Sequence, residues 1–444
     1  MSNTNFYDSL VEFSNQNPLR LHMPGHKGRG PLGCEGPDIT EVGGADALYE
    51  ASGIIAQSEN NATALFGSGR SCYSTEGSSQ CIRAMLYLAL MNRPEGRRPL
   101  ILAARNVHKS FVYAAALLDF DIEWLWPKQL ESLCACPISA DSLETALNGL
   151  SEPPAAVYIT SPDYLGNIAD VRSLAEVCHR HGTILAVDNA HGAYLHFLPT
   201  PLHPLDLGAD ICCDSAHKTL PVLTGGAYLH IGMDMAKRCA SQMKSALALF
   251  GSTSPSYLIM ASLDMCNRYL ADAYRGELAD CVSFVETIKH TLTQNGWQVL
   301  PSDPLRITIR LPQGLSGDDL AKRLRDKNIE CEYADDMHIV FMITPQNPPS
   351  DLTRLAEALG TNDAPPAQDM FLPLPGVKAE LRVRDALFCP HETIPVQRAL
   401  GRICAAPTVA CPPAIPIAVS GERITQAAIA LFERYNVAYV DVVK

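Results

Sequence analysis

At 444 residues the chain is long enough for two or three domains, each with a core of its own. Hydrophobic residues make up 47% and charged residues 19%, a balance that excludes a disordered polymer. A net charge of −13 without any Lys/Arg-rich block excludes non-specific nucleic-acid binding, and no apolar run approaches the ~20 residues of a membrane span. The first residues, Met1–Asn5, lack the charged-then-apolar build of a secretory leader, so a cytoplasmic protein with neither nucleic acid nor membrane as partner is expected.

From about residue 61 to 235 helical and strand patterns alternate. Ser79–Met91 repeats apolar residues at helical spacing, and Leu100–Ala104 reads as a buried strand. Helix is predicted over Lys109–Leu118, strand over Asp121–Leu125 and helix over Ala140–Leu150. Strand Ala155–Thr160, helix Val171–His181 and strand Thr183–Asp188 follow, and Ala209–Cys213 reads as one more buried strand. Such alternation implies an α/β fold with a mostly parallel sheet covered on both faces, which binds ligands at the carboxyl ends of its strands. Thr160, Asp188 and Asp214 stand at such ends. A long helical stretch, Leu258–Gly296, leads out of the sheet. Strand Arg306–Leu311, helix Gly317–Arg325 and strand His338–Ile343 form a second, βαβ-like pattern that reads as a smaller α+β domain. Thr361–Ala367 reads as a linker, and the Pro-rich tail around Cys411–Pro416 as a third small module. The expected division is an N-terminal arm over 1–60, a large domain over 61–285, a small α+β domain over 286–360 and a C-terminal module over 368–444.

Fifteen cysteines are an odd number in a large chain without an export signal, so free thiols are expected. Cys134-x-Cys136 and Cys212-Cys213 lack zinc-ribbon spacing, and Cys212-Cys213 reads as core filler. His22 and His26 are split by Pro24-Gly25, which breaks any helix that could align them. No metal is expected.

The segment Asp214-Ser215-Ala216-His217-Lys218-Thr219-Leu220-Pro221 follows a predicted strand and ends at Val222-Leu223-Thr224-Gly225-Gly226. A lysine at a strand mouth, beside a histidine and small hydroxyl residues, can form a Schiff base with an aldehyde cofactor, although most lysines are solvated surface groups. Asp188, in Asp188-Asn189-Ala190-His191-Gly192, is either a turn residue or the partner of a protonated pyridine nitrogen. Gly77-Ser78-Ser79-Gln80 opens a predicted helix, which suits a phosphate or an ordinary serine cap equally well. His108, in Asn106-Val107-His108-Lys109-Ser110, can stack on an aromatic ring or simply start a helix.

Together and in this order, Pro24-Gly25-His26-Lys27-Gly28, the His108 segment, the Asp188 segment and Ser215-Ala216-His217-Lys218-Thr219-Leu220-Pro221 resemble the bacterial ornithine/lysine/arginine decarboxylases. These are pyridoxal-phosphate enzymes of fold type I, the aspartate-aminotransferase fold. Ser252-Thr253-Ser254-Pro255-Ser256-Tyr257-Leu258, Met260–Asp264 and the tail from Ala399 to Glu422 fit the same pattern, so the resemblance spans nearly the whole chain. The length suits the short form, without an extra N-terminal regulatory domain.

The resemblance implies that Lys218 carries pyridoxal 5′-phosphate, Asp188 meets the pyridine nitrogen and His108 stacks on the ring. Ser78, Ser79, Ser215 and His217 would hold the phosphate or its surroundings, with Gln80, Ala190 and His191 in the same cofactor-contacting set. Thr253 and Ser254 would reach the cofactor of a neighbouring subunit, which implies a homodimer or higher homo-oligomer with its active site at the interface. The implied reaction is decarboxylation of arginine, lysine or ornithine to its amine, as in polyamine biosynthesis. Lys218 or His217 would return the proton to Cα.

Four departures from the family pattern stand out. Leu223-Thr224-Gly225-Gly226 replaces Leu-Thr-Gln-Thr or Leu-Thr-Gln-Ser, and Gly77-Ser78-Ser79-Gln80-Cys81 replaces Gly-Ser-Thr-x-Gly. Asp188-Asn189-Ala190-His191 replaces Asp-Glu-Ala-His, and Cys411 stands in place of a tyrosine. Gly225-Gly226 and Cys411 motivate a second reading, in which the same cofactor serves transamination, elimination or oxidation; a third is a non-catalytic paralogue. Asp46, Glu50 and Glu392 are candidates for the carboxylate that meets the substrate's distal charge.

Overall fold

The computed structural model describes residues 6–93, 98–365, 371–372, 379–407 and 413–444; Cys411 and the end of the expected linker lie outside them. In chain order the elements are α1 (Phe6–Asn15), α2 (Ile54–Leu65), β1 (Arg70–Ser74), α3 (Gly77–Met91), β2 (Leu100–Ala104), α4 (Lys109–Leu118), β3 (Asp121–Leu125) and α5 (Ala140–Gly149). Then come β4 (Ala156–Thr160), α6 (Val171–Arg180), β5 (Ile184–Asp188), β6 (Ile211–Asp214), α7 (Ala216–Thr219), β7 (Ala227–Ile231), α8 (Met233–Cys239), α9 (Met243–Ala248), α10 (Tyr257–Ala271) and α11 (Tyr274–Gln294). The remainder is β8 (Gln298–Leu300), β9 (Arg306–Arg310), α12 (Gly317–Arg325), β10 (Tyr333–Ala334), β11 (His338–Met342), α13 (Pro349–Leu359), α14 (Val383–Phe388), β12 (His391–Pro395), α15 (Gln426–Arg434) and β13 (Tyr439–Val443).

The chain forms two compact units, each discontinuous in sequence: residues 1–93 with 184–277, and residues 94–183 with 278–444. In the first, β1, β7, β6 and β5 lie side by side in that order. β5 and β6 are parallel, with Asp188 opposite Cys213, while β7 runs antiparallel to both β6 and β1. All five residues of β5 and of β7 are buried, the mark of strands covered on both faces. α3 packs on this sheet with Cys81, Ile82, Ala84, Met85, Leu86, Leu88 and Ala89 buried, so its apolar surface runs almost around the helix.

In the second unit β2 pairs in parallel with both β3 and β4. α6 is anchored at its start by Asp170, which accepts the N–H of Ser173, and it buries Val171, Leu174, Ala175, Val177 and Cys178 along one stripe. A four-stranded antiparallel sheet, ordered β10-β11-β9-β8, shares a separate core with α12 and α13, built on Trp297, Ile307, Ile309, Leu320, Ile339 and Leu355. The tail pairs β12 with β13 over a third core containing Val396, Ile417, Leu431 and Phe432.

Two differences from the expected elements have local causes. The stretch read as one helix over Leu258–Gly296 is two, because the backbone leaves the helical region at Asp272 (φ −108°, ψ −90°) and Tyr274 buries its ring against Tyr269 and Phe197. The βαβ-like pattern does not give parallel strands. β10 turns back into β11 as a hairpin, so β11 arrives antiparallel to β9. The expected fold class, α/β with a mostly parallel sheet and smaller α+β parts, is the one observed.

Candidate active site

The first unit brings most of the predicted residues together at the carboxyl ends of β5 and β6. Asp188 closes β5 and is only 2% exposed. Its Oδ1 accepts the backbone N–H of Ala190 (3.2 Å) and faces the thiol of Cys213 at 3.7 Å. Cys213, expected as core filler, therefore touches a site carboxylate. The chain turns after Asp188 through Asn189 and Ala190 to His191, all buried. β6 ends at Asp214, and the single turn of α7 that follows carries His217 and Lys218. Lys218 Nζ lies 3.0 Å from His191 Nε2. One of these two nitrogens donates and the other accepts, so the pair can pass a proton.

A second feature is built from α3. Gly77 opens the helix at φ +70°, so Ser78 and Ser79 stand in its first turn, at the positive end of the helix dipole. Ser215 donates its hydroxyl to Ser78 Oγ at 2.8 Å, so two serines 137 positions apart meet at a helix N-terminus. That is the donor set an anion needs. The side chain of Gln80 is otherwise engaged. Its Oε1 accepts from Ser74, and its Nε2 donates to Tyr49 Oη and the Leu247 carbonyl, both at 2.8 Å. Gln80 thus braces the helix start.

The Gly225-Gly226 departure acts through backbone. The Gly225 carbonyl accepts the N–H of Gly77 at 2.7 Å, and the Gly226 carbonyl accepts the N–H of His217 at 3.2 Å. Gly226 O also lies 3.1 Å from His217 Nδ1; a carbonyl only accepts, so Nδ1 carries the proton and Nε2 keeps its lone pair. Burial, with the Lys218 charge, pulls the His217 pKa below its ordinary value against the pull of the Gly226 carbonyl. Gly225 sits at φ +99°, where a Cβ would stand 2.9 Å from the Thr75 carbonyl oxygen. Glycine is required there.

Other predicted residues lie elsewhere. Thr253 and Ser254 are exposed in a loop tied back to the start of α3, where Ser252 N–H bonds the Glu76 carboxylate. His108 belongs to the second unit, as the N-cap of α4: its Nδ1 accepts the N–H of Ser110 at 3.2 Å. Asp46 is spent on structure, because its two oxygens accept the N–H groups of Ala47, Ser52, Gly53, Ile55 and Ala56. Burial works to raise its pKa, and these backbone bonds outweigh it and hold the carboxyl below its ordinary value. Glu392 is paired with Arg402 at 2.6 Å. A buried group the sequence reading missed surrounds Asp214: His203, His230 and Asn189, whose spacing along the chain carries no motif.

A half-buried lysine beside a histidine, a buried aspartate on the neighbouring strand end, and paired serines at a helix N-terminus are groups that a pyridoxal-phosphate enzyme of fold type I would use. The model of the Orn/Lys/Arg decarboxylase major domain matches residues 4–312. The chain is 31% identical to the Bacillus subtilis protein YaaO, itself uncharacterized, over 97% of this chain and 94% of that one. It is 30% identical to the arginine decarboxylase of Bacillus subtilis, over 95% of this chain and 91% of that one. Its fold is similar to that of the lysine decarboxylase LdcF of Francisella novicida, with a TM-score of 0.82 at 17% identity, covering 99% of this chain and 81% of the other. The chain belongs to the Orn/Lys/Arg decarboxylase family. It is an enzyme, an amino-acid decarboxylase of the pyridoxal-phosphate-dependent class. Among the described residues no helix is long and apolar enough to cross a membrane.

Proposed function

We propose that the protein uses pyridoxal 5′-phosphate to decarboxylate a basic amino acid to its amine, with arginine the first substrate to test. The observation that carries the reading is the convergence, in one unit, of the Lys218–His191 pair, the buried Asp188 carboxylate and the Ser78–Ser215 hydroxyl pair at the start of α3. These fit the cofactor's three handles: an aldehyde, a basic ring nitrogen and a phosphate. Arginine comes first because relatives aligned over nearly the whole chain are named arginine decarboxylases.

The bound cofactor supplies an electron sink for the pair of electrons left when CO2 departs. The chain supplies the rest. Lys218 offers the amine that attaches the cofactor, and His191 Nε2 takes or returns the amine's proton. Asp188, buried at the end of β5, would stand opposite the ring nitrogen and favour a proton on it. The first turn of α3 with Ser78 and Ser215 binds the phosphate through N–H and O–H donors. His217, held neutral with Nε2 as acceptor, relays a proton toward Cα together with Lys218. In this reading His108 would stack on the ring, and Thr253 and Ser254 would complete the site of a second copy in a cytoplasmic homodimer that feeds polyamine synthesis.

Gly225-Gly226 work through their carbonyls; decarboxylation is preferred over transamination, elimination or oxidation because the matching family and relatives aligned over nearly the whole chain are named decarboxylases. The test is to incubate purified protein and cofactor with arginine, lysine and ornithine separately, measuring amine and CO2 together. Equal yields of both from one substrate are expected. Keto acid or ammonia without CO2 would refute the proposal.

A further inference from the structure

At the foot of the lysine-bearing turn lies a buried polar cluster that the proposed chemistry does not use. Asp214, the last residue of β6, is fully buried. Asn189, the residue after Asp188, donates its Nδ2 to Asp214 Oδ1 at 2.7 Å. His203 Nε2 stands 3.1 Å from Asp214 Oδ2 and His230 Nε2 3.3 Å from the same oxygen. Behind His230, on β7, its Nδ1 lies 2.7 Å from the Ser71 hydroxyl of β1, which lies 2.7 Å from that of Ser68. All six side chains are buried.

Two histidines and a carboxylate this close, with ligand atoms within 4.8 Å of one another, match the donor set of a divalent metal. Proton placement argues otherwise. His203 Nδ1 accepts the backbone N–H of Leu205 at 3.4 Å, so the ring's proton sits on Nε2, facing Asp214. A protonated nitrogen donates and cannot ligate. Asn189 fills the other side of the carboxylate, and its own Oδ1 is buried with no partner among the described residues. Donation to Asp214 is therefore what orients that amide.

We infer that Asn189 and Asp214 form a positioning pair that locks the end of β5, bearing Asp188, to the end of β6, which feeds Ser215 and Lys218. The pair sets the spacing of the two groups proposed to grip the cofactor; that consequence rests on the function proposed above, whereas the pair itself does not. It also accounts for one departure from the family pattern. A glutamate at position 189 would press a second carboxylate against Asp214 in the dry interior, and asparagine supplies a donor instead.

The test is a swap cycle on the full chain: Asn189→Asp, Asp214→Asn and the double variant. Asn189→Asp opposes two buried carboxylates, and Asp214→Asn opposes donors. In the double variant, Asp at 189 can accept from Asn at 214, whose carbonyl can still take the His203 proton. Three quantities are read: the thermal midpoint of the cofactor-free protein, the cofactor dissociation constant, and the circular dichroism of bound cofactor per mole bound. Each single variant should weaken cofactor binding about tenfold or more and change the per-mole signal, and the double should recover much of both. Additive losses, or a lower midpoint with unchanged affinity and per-mole signal, would overturn the inference, as would a stoichiometric metal in the wild type that Asp214→Asn removes. Should the wild type bind no cofactor, the proposed function fails, and non-additivity of the midpoints still decides whether the pair exists.

Discussion

Replacing Gly225 by alanine tests the claim that the glycine pair after the lysine shapes the site through its backbone. Alanine at φ +99° costs about 1–2 kcal/mol in the left-handed region. Its Cβ would also stand 2.9 Å from the Thr75 carbonyl, a backbone atom that cannot swing aside, which adds about 1–3 kcal/mol of overpacking. The total is about 2–5 kcal/mol, applied where the Gly225 carbonyl receives the Gly77 N–H and Gly226 holds His217. Gly67→Ala is the control, since Gly67 has φ +58° in the same unit and no atom within 4 Å of a built Cβ. The assay is the thermal midpoint of both cofactor-free variants, with phosphate and cofactor affinity measured alongside. Gly225→Ala should fall well below Gly67→Ala and lose affinity for both ligands. Equal midpoints with unchanged affinity would refute the reasoning.

Three further outcomes are expected. Lys218→Ala should lose the cofactor adduct that borohydride fixes on the wild-type chain, read by mass spectrometry, together with activity by on the order of 10⁴ or more. Asp163 is buried, which raises its pKa from 3.8 to about 6 against the bonds it accepts from Asn167. A folded-state pKa raised above the unfolded value means that the native state gains a proton first as pH falls. Relative to Asp163→Asn, the wild type should gain about 2 kcal/mol of stability between pH 6 and pH 4, seen in paired denaturation curves. Asp46→Ala strips five backbone N–H groups of their acceptor and should cost about 1–3 kcal/mol or more in stability while leaving KM for the amino acid unchanged. A large rise in KM would return Asp46 to the substrate pocket.

The strand-and-helix alternation from 61 to 235 was legible because buried parallel strands are short apolar runs, and β2, β3, α4 and α12 fall on their expected residues. Elements without a clean pattern were not. β1 (Arg70–Ser74) reads as a polar run, yet it pairs along its length with β7 and buries four of five residues. The break at Asp272 has no glycine or proline to announce it; it follows from burying Tyr274, a tertiary demand. At the candidate site, the places of Lys218, Asp188 and Ser78 in the fold were legible because Asp188 ends β5 while Lys218 and Ser78 lie in the helical turns that follow strands. The pairing of Lys218 with His191 and of Ser215 with Ser78 is a matter of distance, which spacing along the chain does not encode. His203 and His230 illustrate the limit. They come from a turn and from a separate strand, and only the sheet brings them to one carboxylate.

The most direct test of the account follows the carboxyl carbon. Arginine labelled at that carbon, incubated with the holoenzyme, should release labelled CO2 and the decarboxylated amine in equal amounts, and Lys218→Ala should release neither. If arginine is inert, lysine and ornithine labelled in the same way should replace it. Label retained in a keto acid, or no turnover of any of the three by a protein that binds the cofactor, would contradict the central claim.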